Sequence, residues 1–185
     1  RILAPHLRPR LRFYGDRIPL FEKFDIEKQI TKLYDRIVQL KSGGYLIFDQ
    51  TESLVAIDVN SGKFVGKRNL EDTAFKTNLE AAEEVPRQLK LRDLGGIIII
   101  DFIDMEIADH RRTVVKTLER HIEDDKAKTK ILSISSIGLV EMTRQRMRKS
   151  IEGKSYQKCP YCNGRGIVKS VSTVAIEITR KIEKF

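Results

Sequence analysis

The sequence has no apolar run that could cross a bilayer. A spanning helix needs about 20 such residues, and the most apolar stretch, Ile97 to Ile100, stops at Asp101. A membrane-spanning helix is thereby excluded. The opening residues, mixed with arginine and proline, lack the pattern of a secretory signal, so the cytoplasm is the expected location. There are only two cysteines and three histidines. His6, His110 and His121 have no spacing that links them to a zinc or acid-base site, and solvent-exposed or packing roles are expected. No internal repeat or low-complexity tract is visible. The chain opens on Arg1 rather than methionine, which suggests a fragment or a processed chain.

What is present fits one well-packed domain with appendages. The 185 residues are 41% hydrophobic and 33% charged, an ordinary balance for a soluble protein rich in helices. Lys and Arg number 35 against 26 Asp and Glu, a net charge of +9. Such an excess points to a polyanionic partner.

The stretch Gly95-Gly96-Ile97-Ile98-Ile99-Ile100-Asp101 reads as a central strand buried on both faces, because a half-exposed strand would alternate polar with apolar. A carboxylate at the end of such a strand is held rigidly at the rim where open α/β layers collect ligands. Leu54-Val55-Ala56-Ile57-Asp58-Val59-Asn60-Ser61-Gly62 repeats the design. Two strands that each deliver a carboxylate, Asp58 and Asp101, would make a hard oxygen site suited to Mg²⁺ or Mn²⁺. Turn formation or helix capping is the competing reading for either aspartate alone. Asp104 is assigned capping at the start of the next helix.

Residues 1 to 24 interleave Arg8, Arg10, Arg12 and Arg17 with Phe13, Tyr14, Phe21 and Phe24 among prolines. This segment is read as an extended piece anchored on a neighbouring domain, with RNA stacking as the alternative. Asp25 is expected to cap a helix through Leu40, with Ile26, Ile30, Leu33 and Ile37 on one face. Tyr45 to Phe48 and Leu54 to Val59 form a hairpin. Lys63, Lys67 and Arg68 make a basic loop beside Asp58 that could contact phosphate. Asn69 is expected to cap a helix carrying Phe75, Leu79, Ala82 and Leu89 on one side. Pro86 should kink or break it near Val85, since an interior proline costs roughly 3 kcal/mol. After the isoleucine strand come a helix with Val114, Leu118 and Ile122 inward and a short strand at Lys130 to Ile134. Glu141 to Lys149 follows, a basic segment that, if helical, places Arg144 and Arg148 on one face, with Arg146 nearby, for adjacent phosphates; a solvated face is the alternative. The order βαβαβ plus one hairpin defines an α/β layered domain with a mixed sheet.

Cys159-Pro160-Tyr161-Cys162-Asn163-Gly164-Arg165-Gly166 has the form of a zinc knuckle. A closed structural zinc site needs four ligands, so Cys159 and Cys162 predict one Zn²⁺ shared across a two-fold between two copies of the chain. A redox dithiol or an inert pair are the rivals. Val171, Val174, Ile178, Ile182 and Phe185 give a last amphipathic helix, although their β-branched members would also suit a strand.

Several motifs occur in one order: Ser42-Gly43-Gly44-Tyr45-Leu46-Ile47, Ala56-Ile57-Asp58-Val59-Asn60-Ser61-Gly62, Thr77-Asn78-Leu79-Glu80-Ala81-Ala82, Arg87-Gln88-Leu89-Lys90-Leu91-Arg92, Asp101-Phe102-Ile103-Asp104-Met105, Glu141-Met142-Thr143-Arg144-Gln145-Arg146 and Cys159-Pro160-Tyr161-Cys162. Together they resemble the catalytic region of the ribonuclease E/G family of bacterial endoribonucleases, and look closer to the ribonuclease G branch. The resemblance implies a deoxyribonuclease-I-like subdomain over residues 41–155, with Asp58 and Asp101 binding one Mg²⁺ and Asn60 as the catalytic asparagine. It also implies a partial RNase-H-like segment over 1–40, a zinc link over 156–169 that joins two protomers into a homodimer, and the start of a small dimerising domain over 170–185. The expected function is metal-dependent cleavage of single-stranded RNA, in ribosomal RNA processing and messenger decay, to 5′-phosphate and 3′-hydroxyl ends. Nothing here resembles the family's OB-type RNA-binding barrel or its 5′-monophosphate sensor, which puts cleavage by this polypeptide alone in question. Two rivals remain: a non-catalytic RNA-binding or dimerisation module whose aspartates only form turns, and a metal-dependent phosphoesterase for small substrates.

Overall fold

The structure is a computed structural model, and it describes residues 9–51, 53–62, 70–135, 138–147, 157, 159–162, 164 and 166–183. The chain divides into two compact units, Arg1–Ile151 and Glu152–Phe185. The first holds a six-stranded mixed sheet in the order β1-β2-β3-β4-β6-β5. Its strands are β1 (Ile37–Gln39), β2 (Tyr45–Gln50), β3 (Leu54–Asn60), β4 (Gly96–Asp101), β5 (Thr129–Ile134) and β6 (Leu139–Arg144). Only β3 and β4 pair in parallel. They are joined by helix α3 (Leu70–Arg92) in a βαβ crossover, and α4 (Ala108–Ile122) follows β4. Two short helices, α1 (Leu20–Lys23) and α2 (Ile26–Lys32), come before the sheet and bury no residue.

Alternation along the strands decides where the core lies. Val55, Ile57 and Val59 of β3, Ile98 and Ile100 of β4, and Val140 and Met142 of β6 are buried and share one cluster with Ala81, Val85, Leu89, Val114 and Leu118 of the helices. Both long helices therefore cover the same face of the sheet. The intervening positions point the other way, and Ile97 there is 53% exposed. The four-isoleucine strand is thus half-buried rather than enclosed on both faces. In this case a run without polar residues did not mean two covered faces.

Three further expectations are corrected. The helix from Asp25 ends at Lys32, and Ile37 pairs with Ile47 in β1; β-branched Ile37 and Val38 gain a strand partner there that a surface helix could not offer. Asp25 does not cap α2: its backbone is left-handed, at φ 53°, and its side chain makes no cap bond. Helix α3 runs unbroken through Pro86. Burying Val85 and Leu89 contributes roughly 1.5–3 kcal/mol each, enough to offset the proline's cost of roughly 3 kcal/mol.

The turn at Ser42 to Gly44 packs against the end of β3. A Cβ on Gly44 would meet the Asn60 carbonyl at 2.7 Å, and one on Gly62 would meet the Gly43 carbonyl at 2.4 Å. Glycine is what lets these two backbones touch. In the second unit, α5 (Val171–Ile182) is capped by Ser170, whose hydroxyl accepts from the Thr173 amide at 3.3 Å. It is a helix despite its β-branched residues. No helix among the described residues is long and apolar enough to cross a membrane.

Candidate metal centre

The β3–β4 register aligns Asp58 with Asp101, the last matched pair of the two parallel strands. Adjacent strands lie about 4.8 Å apart and matched residues project to the same face. Both aspartates are exposed on the uncovered face at the rim. Asn60, two residues on from Asp58 and so on the same side, donates from Nδ2 to Asp58 Oδ2 at 2.8 Å. Partial burial and then the negative charges of Asp58 and Asp104 hold the Asp101 carboxyl above its ordinary pKa. Like charges kept this close suit a divalent cation, which would relieve the repulsion.

The two strands separate immediately beyond this pair. Between Ser61 on one side and Ile103 and Asp104 on the other opens a cleft of about 330 Å³, floored by Ala74 and edged by Glu71. Open α/β sheets gather ligands at such carboxyl ends of parallel strands.

Asp104 does not cap α4, whose N-cap position is Ile107 with no side-chain bond. Glu71 performs that task from α3, accepting from the amides of Glu106 at 2.9 Å and Ile107 at 3.2 Å. Its carboxylate also meets His110 Nδ1 at 2.7 Å, and the imidazole stacks on Phe75 at 4.0 Å. Burial raises the Glu71 carboxyl, but these hydrogen bonds outweigh it and leave it below its usual value. His110 is thus a packing histidine, and His121 bonds the Thr117 carbonyl within its own helix.

The basic residues are distributed less simply. Glu141 to Arg144 lie in β6 rather than in a helix, with Val140 and Met142 turned into the core. Arg144 pairs with Gly96, at the opposite end of β4 from Asp101, about 17 Å from the carboxylates at 3.4 Å per residue. Its side chain is only 4% exposed and is fully engaged. Nε donates to Asp125 Oδ2 at 2.7 Å, Nη1 donates to the Leu94 carbonyl at 2.6 Å, and Asp93 lies 3.5 Å from Nη1. Arg144 serves the fold where the sequence suggested phosphate contact. Arg146 is exposed and donates to the Gly95 carbonyl at 3.0 Å. Lys63, Lys67, Arg68, Asn69 and Arg148 lie outside the described residues.

Among the described residues no group of three or more His, Cys, Asp or Glu side chains could hold a metal. Two carboxylates fit a Mg²⁺ ion, which commonly keeps several waters and takes one or two protein carboxylates. Cys159 and Cys162 are not joined in a disulfide and would supply two ligands of the four that zinc needs.

Asn78 and Glu71 were missed by sequence reasoning. Asn78 had a visible signal: it falls three residues after Phe75 and four before Ala82, a polar residue on an apolar helical face.

The fold defines an α/β protein with a six-stranded mixed sheet and two aspartates matched at the ends of adjacent parallel strands. Residues 1–147 match the Ribonuclease E/G family, and the chain belongs to that family. It is 53% identical to Ribonuclease G of Escherichia coli K12 over 178 residues, 96% of this chain and 36% of that protein. Identity is 48% with Ribonuclease G of Haemophilus influenzae over the same shares, and 44% with Ribonuclease E of Escherichia coli K12 over 97% of this chain and 17% of that protein. The chain thus spans about a third of the length of the Ribonuclease G relatives.

Proposed function

We propose that this chain carries the metal-binding and cleavage site of an endoribonuclease that acts on single-stranded RNA in the cytoplasm. The observation that carries the reading is the register match of Asp58 with Asp101 on adjacent parallel strands. Those two carboxylates would hold Mg²⁺ or Mn²⁺, which when bound polarises the scissile phosphate and lowers the pKa of a water. Asn60 keeps Asp58 in place by its hydrogen bond, and its second amide hydrogen would orient the phosphate or the attacking water. Water adds to phosphorus as the bond to the 3′ oxygen breaks, leaving a 5′ phosphate and a 3′ hydroxyl. Lys63, Lys67 and Arg68 follow Asn60 closely in the chain and would neutralise phosphates near the cut, with Arg146 and Arg148 as further candidate contacts. Residues 41–155 correspond to a deoxyribonuclease-I-like subdomain and 1–40 to part of an RNase-H-like one in this reading.

The test is direct. Titration of the full chain with Mn²⁺, followed by the electron paramagnetic resonance signal of the free ion, should show one site per chain from which Mg²⁺ displaces Mn²⁺. An Asp58→Asn variant that binds Mn²⁺ like the parent would remove the basis of the proposal.

The same reading assigns Cys159 and Cys162 to a zinc shared by two copies of the chain, supported by the knuckle spacing and the absence of a disulfide between them. Elemental analysis should find one zinc per two chains, and chelation should shift the sedimenting species from dimer to monomer. A zinc-free dimer would refute the link.

A further inference from the structure

Helix α3 buries four polar side chains, Thr77, Asn78, Gln88 and Arg92, and of these Asn78 is the one with no exposure at all. A buried amide is tolerated only where its donor and acceptor are both used. Both bonds go to a single residue: Oδ1 accepts from the Ile103 N–H at 3.0 Å, and Nδ2 donates to the Ile103 carbonyl at 2.8 Å. The backbone itself fixes which way the amide faces, because a flipped side chain would set donor against donor. Asn78 therefore offers Ile103 the pair of bonds that a neighbouring strand would otherwise supply.

Ile103 stands two residues beyond Asp101. Were the β3–β4 ladder to continue, its next members would be Val59 with Phe102 and Asn60 with Ile103, but matched pairing stops at Asp58 and Asp101. Past that point the chain leaves β3 and gives both polar groups of Ile103 to the helix. The gap this departure leaves is the cleft between Ser61 and Ile103–Asp104. On the other side, Gly138, at φ +80°, lies so close that a Cβ there would stand 3.2 Å from the Phe102 carbonyl. The strand end is thus gripped from the helix layer and crowded from the β5–β6 connection.

We propose that Asn78 is the positioning residue of the carboxylate centre. By holding Ile103 it sets the direction in which β4 ends, aims the Asp101 carboxylate at the ion held with Asp58, and keeps the adjoining cleft open. The assignment rests on the metal reading of Asp58 and Asp101. It gives Asn78 a role through another residue, with no contact of its own to substrate or ion.

The experiment measures the Mn²⁺ dissociation constant of the full chain together with its thermal midpoint. Asn78→Ala should weaken Mn²⁺ binding by about 10- to 100-fold, the usual effect of removing a residue that orients a ligand. Val85→Ala, which takes buried atoms from the same helix about 10 Å along its axis from Asn78, should lower the midpoint and leave the constant within about twofold. If Asn78→Ala does not fold, Asn78→Ser takes its place, with weakened Mn²⁺ binding again expected. Binding by the folded Asn78 variant within twofold of the parent, or an equal loss in Val85→Ala at a matched drop in midpoint, would overturn the positioning role. Asp101→Asn separates the two levels: it should lose the ion. If it does not, the metal reading itself falls, whereas loss in Asp101→Asn with retention in the Asn78 variant defeats the positioning role alone.

Discussion

On the proposed function, replacing Asp101 by asparagine should reduce Mg²⁺-dependent RNA cleavage by about three orders of magnitude and leave the fold intact. The size follows from the metal's worth to the reaction, several kcal/mol of transition-state stabilisation, at about 1.4 kcal/mol for each tenfold in rate. The fold should survive because Asp101 is exposed at a strand end and takes no core packing with it. Its electrostatics even oppose the metal-free fold. Partial desolvation and the charges of Asp58 and Asp104 raise its carboxyl above the ordinary value, so stability is greatest while the proton is on and falls as pH rises through the raised value. At pH 7 the metal-free Asp101→Asn chain should therefore melt no lower than the metal-free parent, whereas added Mg²⁺ should raise the midpoint of the parent alone. Cleavage of a labelled single-stranded RNA across a Mg²⁺ titration, with calorimetry on the same samples, reads both effects. Cleavage at the parental rate would rule Asp101 out of the centre, and a midpoint well below the parent's would make it a structural residue.

The largest loss of stability is expected from Arg144→Leu. Removing one partner of a buried ion pair costs about 3–5 kcal/mol because the other charge is left uncompensated. For a chain of this size that is a drop in midpoint of roughly 6–20 °C. The stranded groups would be Asp125, whose side chain is 9% exposed, and the Leu94 carbonyl. The pH dependence adds an independent check. Burial pushes the Asp125 carboxyl up, but hydrogen bonds from Arg144 and the Ala127 amide, with the charges of Arg144 and Lys90, carry it below its ordinary value. Its contribution is then fully present above the unfolded value of about 3.9 and disappears as pH falls through the lower folded one. In melts of the parent and variant between pH 3 and pH 8 the gap should therefore narrow at the acid end, leaving the part due to the Leu94 carbonyl. A variant within a degree of the parent at pH 7 would show that the pair contributes nothing.

The carboxylate pair was legible because each aspartate follows an apolar strand and precedes a break in pattern, and strand ends are where rigid side chains meet solvent. The hairpin at 45–60 was equally plain from β-branched residues around Thr51 to Ser53. Arg144 was misread for an identifiable reason. Alternating Val140, Met142 and Arg144 place one face of β6 inward, yet the cations between Arg144 and Lys149 also fit a helical face, and only Asp125 and the Leu94 carbonyl decide between a buried ion pair and a surface patch. Pro86 was misjudged in the same way, since local propensity takes no account of what Val85 and Leu89 gain against the sheet.

By itself the sequence determined the family and the α/β class and singled out two aspartates as candidates, because these depend on residue type and on neighbours near in the chain. The tertiary structure alone decided that both long helices share one face of the sheet, that Asp58 and Asp101 stand as register partners, and that Asn78, from the helix between them, takes over Ile103 where the ladder stops. Those outcomes depend on which distant backbone groups satisfy one another in the folded chain, and spacing along a single strand or helix carries no record of that choice.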